Sequence, residues 1–465
     1  MTVDGPTVRV GAGALRGTAE GGIVRHLGVP YAAPPVGEHR FAPPAPRDPW
    51  EGVRDATAHG PGAPQAPYEG PIGEILPSVD HVGDDFLHVN VWAPEHAEPG
   101  SLPVLLWFHG GALVRGANAL SAYDGTAFAR DGVVFVSANY RLGSEGFSVL
   151  EGAPLNLGLA DQLAALRWVR REIGAFGGDP ERITVAGQSA GASTTAALVA
   201  HPEGGRLMRR AILQSGPLSA VAPDRAGRVS RLIAEDLGIP ATRDAFADTS
   251  PKELVAAQHR AMATGNPLVG GPSFALAVDG DLVPRSPYDA LRTGAADHLD
   301  LMMGTTVEEH RLWLAPTGAD SDLGWPLLAL GSLRFGVGPA TLRRLRGRRP
   351  DMGTGMLAGA MIGEVVLERP IRRVARARAA RGVDSHVYGF AWRSRVAGLG
   401  AAHCMELPFV FDRLGTPGAL AMTGPDAPAE LAERTHRAWV GFVRDGDPGW
   451  PAWADRAGPH VLDAA

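Results

Sequence analysis

The chain has 465 residues and a single cysteine, Cys404. An intrachain disulfide and a thiolate metal cluster are therefore both excluded, and nothing requires an oxidising compartment. Lysine is almost missing too, since Lys252 is the one lysine among 44 basic residues. With 61 glycines and 39 prolines, this usage reads as GC-rich coding from a bacterial source. Positive charge is not in excess, because 50 acidic residues leave a formal net charge of −6. No field for nucleic acid or an anionic membrane is implied. No apolar run approaches the roughly 18 residues that would suggest a membrane span. The first residues lack a basic segment followed by an apolar stretch, so a soluble cytoplasmic protein is expected. Aromatics make up only 6% of the chain.

What is present is a long alternation of apolar strands and amphipathic helices. Residues 7–31 alternate apolar and polar side chains around glycines, as small antiparallel hairpins do. Gly11-Ala12-Gly13 reads as a hairpin turn rather than a dinucleotide loop, since no buried strand precedes it. Residues 61–83 are rich in Gly and Pro and predict a long surface loop of the kind that forms lids or rims. Strands are predicted at Phe86–Trp92, Leu105–Phe108, Val133–Val136, Ile183–Ala186, Ala211–Leu213, Leu299–Met303 and Val387–Trp392. Helical spacing marks 159–176 and 427–444, and residues 223–270 and 339–382 read as helical, Arg/Ala-rich insertions. Repeated βαβ units argue a mostly parallel sheet with helices on both faces. No linker divides the chain, which is read as a single domain over 1–465. The arginine runs 343–349 and 372–381 are read as solvated helix faces. Asp80, Asp84 and Asp85 have no metal-site spacing around them.

The chemistry centres on Gly187-Gln188-Ser189-Ala190-Gly191. A β-branched strand precedes this pentapeptide and a small-residue helix start follows it. That context matches a nucleophile elbow, a sharp strand-to-helix turn that exposes a serine Oγ. The helix start supplies free N–H groups and a partial positive charge beside the serine. A serine hydroxyl attacks a carbonyl only when a histidine takes its proton, and a third group must orient that histidine.

Ordered blocks along the chain resemble the type-B carboxylesterases of the α/β-hydrolase superfamily. They include Gly28-Val29-Pro30-Tyr31-Ala32, Asp84-Asp85-Phe86-Leu87-His88-Val89-Asn90-Val91, His109-Gly110-Gly111-Ala112, Asn139-Tyr140-Arg141-Leu142-Gly143, Phe176-Gly177-Gly178-Asp179-Pro180 and Gly187–Gly191. The resemblance implies an α/β-hydrolase fold and a triad in the order Ser, acid, His. It puts Ser189 as nucleophile and His403, in Ala402-His403-Cys404-Met405-Glu406, as base. Gly304-Thr305-Thr306-Val307-Glu308-Glu309-His310 matches the acid block and puts Glu309 on the acid, with Glu308 pointing the other way. The same resemblance makes the N–H groups of Gly111, Ala112 and Ala190 the oxyanion hole. Ser215 matches a serine that supports the acid from behind, and an ordinary strand-end hydroxyl is the other reading. Phe86 stands where secreted relatives carry a cysteine, in agreement with a reducing compartment. His310 replaces the usual glycine and is expected to be solvated or structurally paired. Cys404 is expected to be a small buried filler.

The expected activity is hydrolysis of a small-molecule ester with an apolar group, through an acyl-enzyme and without cofactor or metal. Transfer of the acyl group to another acceptor uses the same machinery and stays open, as, more remotely, does a non-catalytic binding relative. Walls are expected from 68–82, 113–123 and 312–325, with Trp313 and Leu314 in view.

Overall fold

The computed structural model describes residues 5–79, 81–263, 273–318, 323–348, 352–456 and 458–464. Thirteen strands run through it: β1 (Thr7–Val10), β2 (Gly13–Arg16), β3 (Thr18–Glu20), β4 (Ile23–Pro30), β5 (Val53–Asp55), β6 (His88–Pro94) and β7 (Leu102–Phe108), followed by β8 (Val134–Ala138), β9 (Gly178–Gln188), β10 (Arg210–Gln214), β11 (Asp300–Thr306), β12 (His386–Phe390) and β13 (His460–Leu462). Ten of them form one sheet in the order β13-β12-β11-β10-β9-β7-β8-β6-β4-β3. From β8 to β13 every neighbouring pair is parallel, and β6, β4 and β3 add an antiparallel edge. β1 and β2 are the predicted hairpin, and β5 joins them in a small separate sheet.

The parallel strands read as continuous apolar runs because both faces are covered. Successive side chains on β7 show this directly. Val104, Leu106 and Phe108 pack in one core with Leu159, Leu163 and Leu166 of the helix Leu157–Glu172. Leu105 and Trp107 pack in the other with Trp439, Phe442 and Val443 of the helix Ala429–Asp445. This is the α/β-hydrolase architecture, with helices on both faces of the sheet.

The predicted strands and long helices fall where expected, within a few residues at their ends. The 223–270 insertion is helical at Pro223–Ala226, Arg228–Leu237, Arg243–Asp248 and Pro251–Ala263, while 264–270 lies outside the described residues. Asp80 does as well. The arginine runs are mostly solvated as expected, with Arg343, Arg344, Arg346, Arg373, Arg376 and Arg381 exposed, and Arg378 is the exception. Arg378 is fully buried and donates to the carbonyls of Ala296 and Leu299 at 2.7 Å and to Ser385 Oγ at 2.8 Å. The reason is helical spacing, since Ile371, Val374 and Ala375 form the docked stripe of the helix Arg369–Ala379 and position 378 continues it. The exposed Arg344 and the partly buried Arg372 both reach the buried Glu364 carboxylate.

One ion pair ties the sheet to its covering helix. Asp161 accepts from Arg141 Nη2 at 2.6 Å, from Arg141 Nε at 2.8 Å and from the Arg141 backbone N–H at 2.9 Å. Both residues are essentially inaccessible to solvent. The remaining guanidinium nitrogen donates to the carbonyl of Ala42 at 2.6 Å, which fixes the proline-rich crossing near residue 42.

Candidate active site

Parallel pairing brings the ends of the central strands to one level. Phe108 of β7 lies beside Gly187 of β9, which lies beside Leu213 of β10. At this level the chain leaves each strand in a strained conformation. Ser189 sits at φ 56° and ψ −122°, an arrangement non-glycine residues seldom hold. Its N–H donates to the Gln214 carbonyl at 2.8 Å, and its own carbonyl starts the helix Ala190–Ala200 by accepting from Ser193 at 3.0 Å. Both flanking glycines are sterically required. A Cβ on Gly187 would overlap the Gly191 backbone, and one on Gly191 would overlap the Phe108 carbonyl. Ser189 thus projects from a turn that larger residues cannot make.

The turn after β7 supports the second part of the site. Ala112 and Leu113 both have positive φ, at 55° and 65°. Arg115 N–H closes the turn onto the Gly111 carbonyl at 3.0 Å, and a Cβ on Gly111 would overlap the Arg115 carbonyl. His109 anchors the turn from behind. It is buried, stacks on Tyr140 with centroids 4.6 Å apart, and has its Nδ1 2.8 Å from the Gly110 carbonyl. Burial lowers its pKa to about 4, so it stays neutral. Gln65 grips Gly116 with both ends of its amide, at 2.8 and 2.9 Å. Gly110, Gly111 and Ala112 border the same cavity as Ser189.

The structure brings Glu309 and His403 into direct contact, Glu309 Oε2 to His403 Nδ1. Glu309 Oε1 accepts from the Thr306 N–H at 2.8 Å, and both residues are buried. Burial disfavours a charged imidazole here. The adjacent Cys404 sulfur and the Glu309 carboxylate outweigh it and raise the His403 pKa well above the ordinary histidine value. Glu308 points elsewhere, pairing with Arg393 at 3.1 Å and accepting from the Ala401 N–H at 3.1 Å. The two glutamates therefore separate as extended neighbours should. Trp313 lies against His403, with ring centroids 5.0 Å apart.

His403 Nε2 does not bond to Ser189 in this structure; it meets the Gln188 side-chain amide at 3.2 Å. Sequence reasoning missed Gln188. Its signal was a polar side chain at the position before the serine, where it closes a buried strand. Glu406 was also missed and lies fully buried behind the pair. Ser215 does not bond to Glu309; its buried Oγ has no partner. His310 is neither solvated nor paired as expected. It is buried against Gly359, its Nε2 has no partner, and burial lowers its pKa to about 4. Cys404 is not a buried filler, because it is half-buried, at φ 70°, and borders the cavity.

The cavity holds about 200 Å³ and takes its walls from three expected segments, through Tyr68 and Leu76, Leu120 and Tyr123, and Leu312 and Trp313. Leu314 is buried away from it. A fourth wall, from Leu407 to Met422, had no motif to announce it. Among the described residues no group of three His, Cys, Asp or Glu could hold a metal, and no helix is long and apolar enough to cross a membrane.

Known proteins resemble this chain over most of its length. A family model described as the carboxylesterase family matches residues 4–323. The chain is 34% identical over 454 residues to the para-nitrobenzyl esterase of Bacillus subtilis strain 168, covering 95% of this chain and 91% of that protein. It is 35% identical over 465 residues to the phenmedipham hydrolase of Pseudarthrobacter oxydans, with 95% and 90% covered. The crystal structure of a Geobacillus stearothermophilus carboxylesterase at pH 6.2 superposes with a TM-score of 0.87 at 36% identity, covering 99% of this chain and 96% of that one. From its strained serine turn to its sheet order, this chain belongs to the carboxylesterase family.

Proposed function

We propose that the protein hydrolyses carboxylic esters, with Ser189 as nucleophile, His403 as base and Glu309 as the acid that orients it. The observation that carries this reading is the Glu309–His403 contact on the wall of the cavity into which Ser189 projects. Glu309 holds the imidazole by Nδ1, which leaves Nε2 to accept the serine proton. The Gln188 amide must give way for this, consistent with catalytic hydrogen bonds that tighten only when substrate arrives.

Ser189 Oγ then attacks the ester carbonyl, and the developing oxyanion is met by the N–H groups of Gly111, Ala112 and Ala190. Each such donor is worth on the order of 100- to 1,000-fold in turnover. His403 gives its proton to the leaving alcohol, the acyl group stays on Ser189, and water activated by the same histidine releases the acid. No step requires a metal or cofactor. The mostly apolar cavity suits a small ester with an apolar group. Ser189→Ala is expected to abolish hydrolysis of p-nitrophenyl butyrate and covalent labelling by a fluorophosphonate, while the circular dichroism spectrum stays unchanged. Retained hydrolysis in that variant would refute the assignment.

A further inference from the structure

The charge on the cavity wall runs against the charge of the chain. The sequence has more acids than bases, 50 against 44. Yet no Asp or Glu lines the cavity among the described residues, while Arg115 and Arg413 do. The rest of the wall is largely apolar, with Leu76, Leu120, Tyr123, Trp313, Leu407 and Met422.

Neither guanidinium is satisfied by a carboxylate hydrogen bond. Arg115 belongs to the turn that presents Gly111 and Ala112. Its Nε donates to the Ala66 carbonyl at 3.0 Å, and its guanidinium carbon lies 5.1 Å from the Tyr68 ring centroid. These contacts fix its direction and leave both terminal nitrogens without an anionic partner among the described residues. Arg413 has one acid nearby, but its Nη2 lies 3.9 Å from Asp124 Oδ2, beyond hydrogen-bond reach. Asp124 instead caps the next helix, accepting the Thr126 N–H at 2.9 Å. The Arg413 Nε is buried with no acceptor at all. Two guanidinium groups held in an apolar wall, with donors unmet, are matched by a planar oxyanion that accepts two parallel bonds.

We propose that this cavity selects esters carrying a carboxylate on an otherwise apolar acyl or alcohol part, with Arg115 and Arg413 as the residues that hold it. This rests on the assignment of Ser189, Glu309 and His403, and it names the substrate class of that site. It differs from a plain apolar pocket, which takes neutral esters and gains nothing from an added charge.

The test compares esters that differ only in that charge. Mono-p-nitrophenyl glutarate is set against p-nitrophenyl valerate, and 4-carboxyphenyl butyrate against phenyl butyrate. At low salt, the carboxylate member of at least one pair is expected to have a kcat/KM about tenfold higher or more. The preference shrinks in high salt, because the charges are only partly shielded from solvent. Arg115→Gln and Arg413→Gln each lower that ratio by about tenfold, whereas the Lys variants retain part of it. Because the ratio is measured on one preparation, a loss of folded protein cancels out of it. A ratio of one or less in both pairs, or a ratio that neither Gln variant moves, overturns the proposal. If the neutral esters are still hydrolysed in that case, the assignment of Ser189 stands. Absence of all hydrolysis and of fluorophosphonate labelling would take down both.

Discussion

Glu406 offers a test in which structure fixes sign, size and pH range together. It has no solvent access, one oxygen accepts from Gln214 Nε2 at 3.2 Å, and the other has no partner. Gln214 is itself held by Trp439 Nε1 at 2.8 Å, so it cannot turn to offer more. Burial, and then the charge on nearby Glu309, raise the Glu406 pKa from 4.5 to about 7. The folded protein therefore keeps a proton on Glu406 at pH values where the unfolded chain has lost it. The resulting stability is complete below pH 4.5 and is lost as pH rises through about 7. At about 1.4 kcal/mol per pH unit, the loss amounts to about 3 kcal/mol. Glu406→Gln keeps an acceptor for Gln214 and cannot ionise. It is expected to be more stable than the wild type by about 1 kcal/mol or less at pH 5 and by about 3 kcal/mol at pH 8. For a chain of this length the unfolding entropy near 60 °C is about 1 kcal/mol/K, so the melting midpoint rises by about 3 °C. Thermal melts of both proteins from pH 5 to pH 8 measure this directly. A difference in midpoint that does not change with pH would refute the reasoning.

Further outcomes follow from contacts described above. Glu309→Gln is expected to lower kcat by about 1,000- to 10,000-fold. It also moves the acidic limb of the kcat/KM profile to lower pH, since a charge that stabilises the imidazolium is removed. Glu308→Gln costs much less, and a larger loss there would reverse the choice of acid. Gly191→Ala forces a methyl group against the Phe108 carbonyl at the tightest point of the serine turn. A loss of about 3 kcal/mol or more is expected, read as a melting midpoint lowered by several degrees or as insoluble protein. Asp161→Asn leaves the buried Arg141 charge without its partner, and about 3–5 kcal/mol of destabilisation is expected in the same melts.

The sequence made the scaffold readable because a buried parallel sheet admits few alternatives. Runs such as Val133-Val134-Phe135-Val136 have no polar face to present, so they must be covered on both sides. The serine block was readable from its strand, its two glycines and the helix start after it, whereas the acid and histidine blocks were readable through their resemblance to a known family. The cavity was less legible. Its wall from Leu407 to Met422 is defined by where a loop and a short helix fall in space, and no local period records that. Arg378 was misread because a charged side chain within an Arg-rich run suggests solvent. Its position in the Ile371–Val374–Ala375 stripe was the better guide. His310 was misjudged for the opposite reason. Nothing in its neighbours foretold that Gly359 would leave just enough room to bury an imidazole.

The way the site is divided along the chain also bears on synthesis. The serine turn and the Gly110–Ala112 turn are complete within the first 216 residues, on strands that are neighbours in the sheet. The histidine arrives only after β12, three strands away from β9 across β10 and β11. At roughly 5–20 residues per second, about 200 residues take on the order of 10–40 s to emerge. For that interval a ribosome-bound chain carries the Ser189 turn without the histidine proposed as its base. If Ser189 and His403 act as proposed, a nascent chain is inert toward esters until the segment after β12 has emerged, and the onset of ester hydrolysis reports completion of the fold.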